Sequence, residues 1–104
     1  MPWTKNQTRL HIAEIPYETG EVRFRYSRYL SEDGTQWIRH GLFRAYHPNG
    51  NLASEGNYVD GAEHGDWRDY HDNGQVAAQG VYERGQEVGL WSFWDADGSL
   101  EESS

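Results

Sequence analysis

Residues 65–88 read GDWRDYHDNGQVAAQGVYERGQEV, and residues 41–64 just upstream read GLFRAYHPNGNLASEGNYVDGAEH. The two stretches align without a gap at a period of 24 residues, and residues 89–104, GLWSFWDADGSLEESS, begin the same unit a third time. Gly41, Gly65 and Gly89 open the units. Phe43, Trp67 and Trp91 stand at the third position, Tyr46, Tyr70 and Trp94 at the sixth, and Gly50, Gly74 and Gly98 at the tenth. Gly56 and Gly80, Tyr58 and Tyr82, and Gly61 and Gly85 complete the match. Self-similarity at a fixed period marks a stack of equivalent supersecondary units, and the unit decides the fold.

Within the unit, Asn-Gly or Asp-Gly sits between short alternating apolar segments. That is a hairpin signal, and it predicts a type I′ turn at Asn49-Gly50, Asn73-Gly74 and Asp97-Gly98. The incoming strand is expected over about residues 42–46 and 67–70, the returning strand over about 51–58 and 75–82. Leu52, Ser54, Gly56 and Tyr58 then share one face, as do Val76, Ala78, Gly80 and Tyr82. A glycine in mid-strand weakens a strand unless something needs the space above it. Its recurrence at Gly56 and Gly80 predicts that Trp67 and Trp91, from the adjacent strands, lie over bare backbone. The sequences VDG and ERG, at 59–61 and 83–85, make the second turn and pass the chain to the next hairpin.

Working outward, residues 20–40 hold a shorter, degenerate hairpin. Val22, Phe24 and Tyr26 alternate with Arg23, Arg25 and Ser27, the turn falls at Asp33-Gly34, and Trp37 and Ile38 lie on the return. Residues 9–15 supply one more strand, stopped by Pro16. Residues 1–19 and the charged tail are expected to blunt the two ends against edge-to-edge pairing. No window carries a capped 3.6-residue apolar period. The expected fold is one all-β domain, an elongated, twisted antiparallel meander of hairpins, with repeats at 41–64, 65–88 and 89–104.

The pattern carried by Gly65, Trp67, Tyr70, Asn73, Gly74, Gly80, Tyr82, Gly85 and Gly89, and by their partners 24 residues earlier, resembles the MORN-repeat variant family. The resemblance covers residues 41–104 and extends faintly back to about 20. It implies the hairpin-repeat fold and brings no catalytic residues with it. Bacterial proteins similar to this are described as antitoxin or immunity components of toxin–antitoxin systems. MORN-type repeats elsewhere imply scaffolding, dimerisation or lipid contact.

Composition bounds the chemistry. The chain has 104 residues, no Cys, five Trp and seven Tyr, so its apolar burial rests on aromatic rings and no disulfide or thiolate chemistry is open to it. No apolar run approaches the ~20 residues of a membrane helix, and no signal sequence is seen at the start, so a cytoplasmic protein is expected, or a periplasmic one if a leader was removed. Charge is uneven: residues 1–40 hold six basic and five acidic side chains, residues 41–104 three and twelve. An acidic body repels nucleic acid and anionic lipid and attracts a basic protein.

Five histidines invite a metal reading. His40 and His64, like His47 and His71, are one repeat apart, which in a hairpin ladder is two strands or about 10 Å, too far for shared coordination. No metal site and no cofactor is expected. Glycine-rich phosphate loops, a nucleophile elbow and calcium loops are missing from the sequence. Arg23, Arg25 and Arg28 are the one basic cluster and are expected to pair with the chain's own carboxylates. Of the aromatic series Phe43/Trp67/Trp91 and Tyr46/Tyr70/Trp94, spacing puts one on each face, and one is core.

These observations lead to a non-enzymatic binding protein, an antitoxin or immunity protein that covers a toxin bearing a basic surface. The expected contacts are Asp60, Glu63, Asp66, Asp69, Asp72, Glu83 and Glu87, with Tyr58, Tyr82 and Trp94 as anchors. The alternative is a scaffold or homodimeric assembly module; lipid binding is disfavoured by the acidic body.

Overall fold

The computed structural model describes residues 9–103. They form eight antiparallel strands: β1 (His11–Pro16), β2 (Val22–Leu30), β3 (Trp37–Tyr46), β4 (Leu52–Val59), β5 (Ala62–Tyr70), β6 (Val76–Glu83), β7 (Gln86–Trp94) and β8 (Leu100–Ser103). Spatial order follows chain order from β1 to β8 in one open sheet. The described residues contain no helix, hence none long and apolar enough to cross a membrane. The sheet is a single layer of 55 × 37 × 19 Å. The all-β meander expected from the repeat is the fold observed. Of residues 1–19, expected to cap one end, 1–8 lie outside the described residues and 9–19 supply β1 and part of the turn that follows it. The tail, also expected to blunt its end, is the last described strand, β8, and pairs through Trp94↔Leu100.

From β3 onward two kinds of turn alternate and sit at opposite ends of the sheet; the β2–β3 turn, at the narrow-turn end, is longer and closes with the Ser31 N–H donating to the Gln36 carbonyl (2.8 Å). The wide turns span residues 17–21, 47–51, 71–75 and 95–99, and all four close in the same way. In the third, the His71 N–H donates to the Gln75 carbonyl (2.8 Å) and the Gly74 N–H to the His71 carbonyl (3.0 Å). Gly74 alone in that turn has positive φ, 91°, while Asn73 keeps a negative one. The type I′ assignment at Asn-Gly is therefore corrected. The Asn73 side chain accepts from the Gln75 N–H at 2.9 Å, an Asx hydrogen bond that holds the ordinary turn conformation. Type I′ geometry is found at the narrow turns instead. Asp60 and Gly61 have φ of 48° and 91°, Arg84 and Gly85 of 51° and 83°. Asp60 and Arg84 are the two non-glycine residues with positive φ among those described, which is why VDG and ERG look less like hairpin signals than NG does.

Strands β3, β5 and β7 begin about five residues earlier than the alternation suggests, because each carries a bulge. Glu55 pairs with Arg68 and Asn57 with His64, so Gly65, Asp66 and Trp67 of β5 stand against Gly56 alone. The same shift occurs opposite Gly80 on β7 and opposite Ser27 on β3. Gly65 takes φ 85° there. The bulge interrupts the ladder without ending the strand and tips the ring that follows it over the neighbouring strand.

The core lies on one face. Phe43 and Trp67, each 7% exposed, and Trp91, 4% exposed, are buried together with Ala78, and Phe24, Tyr26, Ala45, Tyr58, Tyr82 and Phe93 pack against them. A Cβ added at Gly80 would stand 2.2 Å from Trp91 Cδ2, and one at Gly56 would stand 2.2 Å from Trp67 Cδ2. The expected ring-over-glycine packing is thus present twice. In the first hairpin Tyr26 pairs with Phe43 across the strands and stacks beside its ring (centroids 5.9 Å).

The wide-turn end is stitched across repeats. His47 Nε2 lies 2.8 Å from the Tyr70 carbonyl and His71 Nε2 lies 2.7 Å from the Trp94 carbonyl. A carbonyl only accepts, so Nε2–H is the donor in both. Asn49 and Asn73 donate to the carbonyls of Asp72 (2.8 Å) and Ala96 (2.6 Å), and the Tyr17 hydroxyl donates to the Tyr46 carbonyl (2.6 Å). Asp95 and Asp97 stand where His71 and Asn73 stand one repeat earlier, and β8 follows them as the last described strand.

Candidate binding face

Along the core face the rings form an unbroken edge-to-face series. Centroid separations are 5.4 Å for Phe43–Tyr58, 5.6 Å for Tyr58–Trp67, 5.6 Å for Trp67–Tyr82 and 5.1 Å for Tyr82–Trp91, with interplanar angles of 65–81°. The period explains the alternation: β3, β5 and β7 each contribute the third-position ring, and β4 and β6 each contribute a tyrosine. Edge-to-face contact places the positive edge of one ring on the negative face of the next, worth about 0.5–1.5 kcal/mol a pair beyond area burial. Since the sheet is a single layer, Tyr58 and Tyr82 remain half-exposed. Trp67 Nε1 donates to the Asn57 carbonyl at 3.1 Å, whereas Trp91 Nε1 is buried and unpartnered among the described residues.

Charged groups border this series near the narrow-turn end. Arg39, Glu63 and Glu87 are repeat equivalents. Glu63 pairs in register with Tyr58, and Glu87 with Tyr82. The Arg39 guanidinium lies over three rings, 4.8 Å from the centroid of Tyr26, 5.7 Å from Phe43 and 5.5 Å from Tyr58. Asp69, on the same face, accepts from the Ser54 hydroxyl at 2.6 Å. Burial pushes the Tyr82 phenol above its ordinary range, and the neighbouring negative charges of Glu87, Glu63 and Asp69 push the same way. Three carboxylates thus act on the one half-buried ring.

The structure brings some of the expected contact residues together and disperses the rest. Tyr58, Tyr82, Glu63, Asp69 and Glu87 share the core face. Asp66 and Trp94 lie on the opposite face, along with Tyr46 and Tyr70; Trp94 is half-buried there. Asp60 is in a narrow turn, holding the Tyr29 hydroxyl (2.8 Å) and facing His40 (3.4 Å). Asp72 sits at the far end in a wide turn, and Glu83 follows Tyr82 with its side chain on the outer side. Arg39 was not among the expected contacts, although it stands 24 residues before Glu63, and that register was the available signal. Of the basic cluster, Arg25 does pair with a carboxylate, Glu14 (3.4 Å), but Arg23 lies over Phe24 (4.9 Å) and Arg28 over Trp37 (4.1 Å).

The outer face differs in character. Leu42, Val81 and Leu90 are exposed around Asp66 and Arg68, Leu90 at 76%. Farther along, Arg44 pairs with Glu55 (2.9 Å), a contact that raises the pKa of Arg44 through the hydrogen bond and the opposite charge. Among the described residues no group of three or more His, Asp and Glu is arranged to hold a metal ion. His47 and His71 have their Nε2–H committed to backbone carbonyls.

Residues 39–60 and 63–84 match the MORN repeat variant, so the matched segments open on Arg39 and Glu63. This is a repeat family and not an enzyme family, and the match points to a repeat-built binding module. No curated protein and no solved structure matches the chain.

Proposed function

We propose that this chain is a protein-binding module that recognises a basic protein surface and occludes it, the working mode of an antitoxin or immunity protein. The observation that carries the reading is the core face between β4 and β7. Half-exposed Tyr58 and Tyr82 stand beside Glu63, Asp69 and Glu87, and none of these three carboxylates has an ion-pair partner among the described residues. Aromatic anchors at the centre with charge at the rim is the anatomy of an interface. The twelve acidic and three basic residues of 41–104 would steer a basic partner toward the module and repel nucleic acid and anionic lipid. Rigidity supports occlusion: a ladder of hairpins bonded across repeats at the wide turns, and at the narrow turns through Gly61 N–H to the Arg39 carbonyl and Gly85 N–H to the Glu63 carbonyl, loses little freedom on docking.

The test is co-purification from the native cell followed by rescue of growth. A basic protein that forms a stable complex with the module and is toxic only in its absence supports the reading. Growth unaffected by the module in the presence of every protein it captures would overturn it.

A second reading, an assembly module, is favoured by exposed Leu42, Val81 and Leu90 on the outer face. Light scattering separates the two: a stable oligomer of the isolated chain supports assembly, a monomer supports recognition of a different protein.

A further inference from the structure

The repeat places two related ring clusters side by side on the core face, sharing Tyr58, and the chain itself sets a cation over one of them. In the first, the guanidinium of Arg39 lies over Tyr26, Phe43 and Tyr58. One repeat along, Trp67 and Tyr82 stand where Phe43 and Tyr58 do, while the register puts Gly56 in the place of Tyr26 and Tyr58 in the place of Arg28; the rings of Tyr58, Trp67 and Tyr82 meet edge to face at 5.6 Å on either side of Trp67. The residue in the place of Arg39 is now Glu63. The position that carries a cation beside Phe43 and Tyr58 therefore carries a carboxylate beside Trp67 and Tyr82. Two further carboxylates, Asp69 and Glu87, are close enough to act on Tyr82 electrostatically. At the position of Asp69 the previous repeat has Ala45 and the following one Phe93, so the negative charge is particular to this cradle.

We propose that the cradle of Tyr58, Trp67 and Tyr82, flanked by Glu63, Asp69 and Glu87, binds an arginine side chain of a basic partner protein. This rests on the reading of the module as a binder of basic protein and names the contact it makes. The guanidinium lies over Trp67 and the half-exposed Tyr82, bordered by Tyr58, as Arg39 lies over Phe43 and Tyr58, while its N–H fork donates to the flanking carboxylates. Arginine fits better than lysine because the planar ion is more weakly hydrated and uses ring and carboxylate together. Complementarity of charge selects the same occupant. The three carboxylates have no cation of their own among the described residues, and a like-charged trio gains most from an incoming positive charge.

The test uses the full chain and an acetylated, amidated pentapeptide of alternating glycine and arginine, followed by NMR at low ionic strength. Saturable shifts are expected at Tyr58, at the Trp67 indole N–H and at Tyr82, with none when citrulline replaces arginine. Glu63→Arg, which repeats Arg39 in the second cradle, should lower peptide affinity by about tenfold or more with resonance dispersion retained. Glu63→Gln with Glu87→Gln should weaken it less, and Asp66→Asn, on the outer face, should leave it unchanged. Equal affinity for the Glu63→Arg chain, shifts confined to the outer face, or binding of phosphatidylcholine vesicles in place of the peptide would overturn the proposal. The two levels fail separately. A basic partner that still binds the Glu63→Arg chain at full strength overturns the cradle and leaves occlusion standing. Shifts at the cradle with no basic partner in the cell overturn occlusion and leave the cradle.

Discussion

Gly80 shows how one residue carries the packing of the sheet. The Trp91 ring occupies the space a side chain would need, and the nearest ring atom is 2.2 Å from the site of a Cβ. A contact that short with a buried ring cannot be relieved by a flexible tip, so either the ring or the strand must move. Gly80→Ala should destabilise the fold by about 3 kcal/mol, the upper part of the range for overpacking, read as a fall in the urea midpoint at unchanged slope. Gly74→Ala makes a useful contrast. Nothing lies within 4 Å of its Cβ position, yet φ is 91°, so the cost is backbone strain of about 1–2 kcal/mol in the same measurement. The role of Gly80 was legible in the sequence, because a glycine recurring in mid-strand, in step with a recurring tryptophan, leaves a gap of the kind a ring fills. The role of Arg39 was not. Its column reads Arg, Glu, Glu, and only the three rings around its guanidinium reveal what that change of sign means.

Turns and edges are where sequence and structure part at the level of the element. Strand existence, order and the returning strands followed from alternation and the period. Turn type did not: Asn73-Gly74 carries the standard hairpin dipeptide, but the five-residue span lets the Asn73 side chain cap the turn, and the two-residue type I′ turns fall at Asp60-Gly61 and Arg84-Gly85. Strand starts were also missed, because the bulge at Gly65 breaks the period-2 pattern while pairing resumes beyond it. The cross-repeat bonds of the wide turns give a test of their own. His71→Ala removes the donor to the Trp94 carbonyl and should cost about 1 kcal/mol of stability in denaturant unfolding, with faster amide exchange in the last hairpin. Acid should loosen the same hairpin. The Ser99 N–H, and then its hydroxyl, hold the Asp97 carboxyl below the ordinary carboxylate range. A folded pKa below the unfolded one gives stability that is complete above the unfolded value and is lost as pH falls through the folded value. Asp97→Asn keeps the acceptor without the charge, and should abolish this acid response when turn resonances are followed by NMR on lowering the pH.

At the scale of the whole fold, the described residues form a single sheet with two unlike faces. One is a closed series of rings with an acidic border; the other exposes Leu42, Val81 and Leu90. A period of 24 residues predicts this two-sidedness, since every repeat turns the same side chains the same way, but it cannot say which aromatic series is inside. The structure puts Phe43, Trp67 and Trp91 there, because the bulge ahead of each tips that ring onto the neighbouring strand. The candidate site was legible to the same degree: Tyr58, Tyr82, Glu63, Asp69 and Glu87 converge, while Asp60 and Asp72 lie at opposite ends of the sheet because they belong to different turns. Recognition of a basic partner rests on the charge and position of that core face. The most direct measurement is the association rate of the module with its basic partner across ionic strength, for the parent chain, for the combined Glu63→Gln, Asp69→Asn and Glu87→Gln chain, and for Asp66→Asn. At about 0.1 M salt the screening length is about 10 Å, so a rate set by this face should fall steeply above that concentration, fall further in the triple variant, and stay near the parent value in Asp66→Asn. A rate indifferent to salt and to the three core-face carboxylates would contradict this mode of recognition.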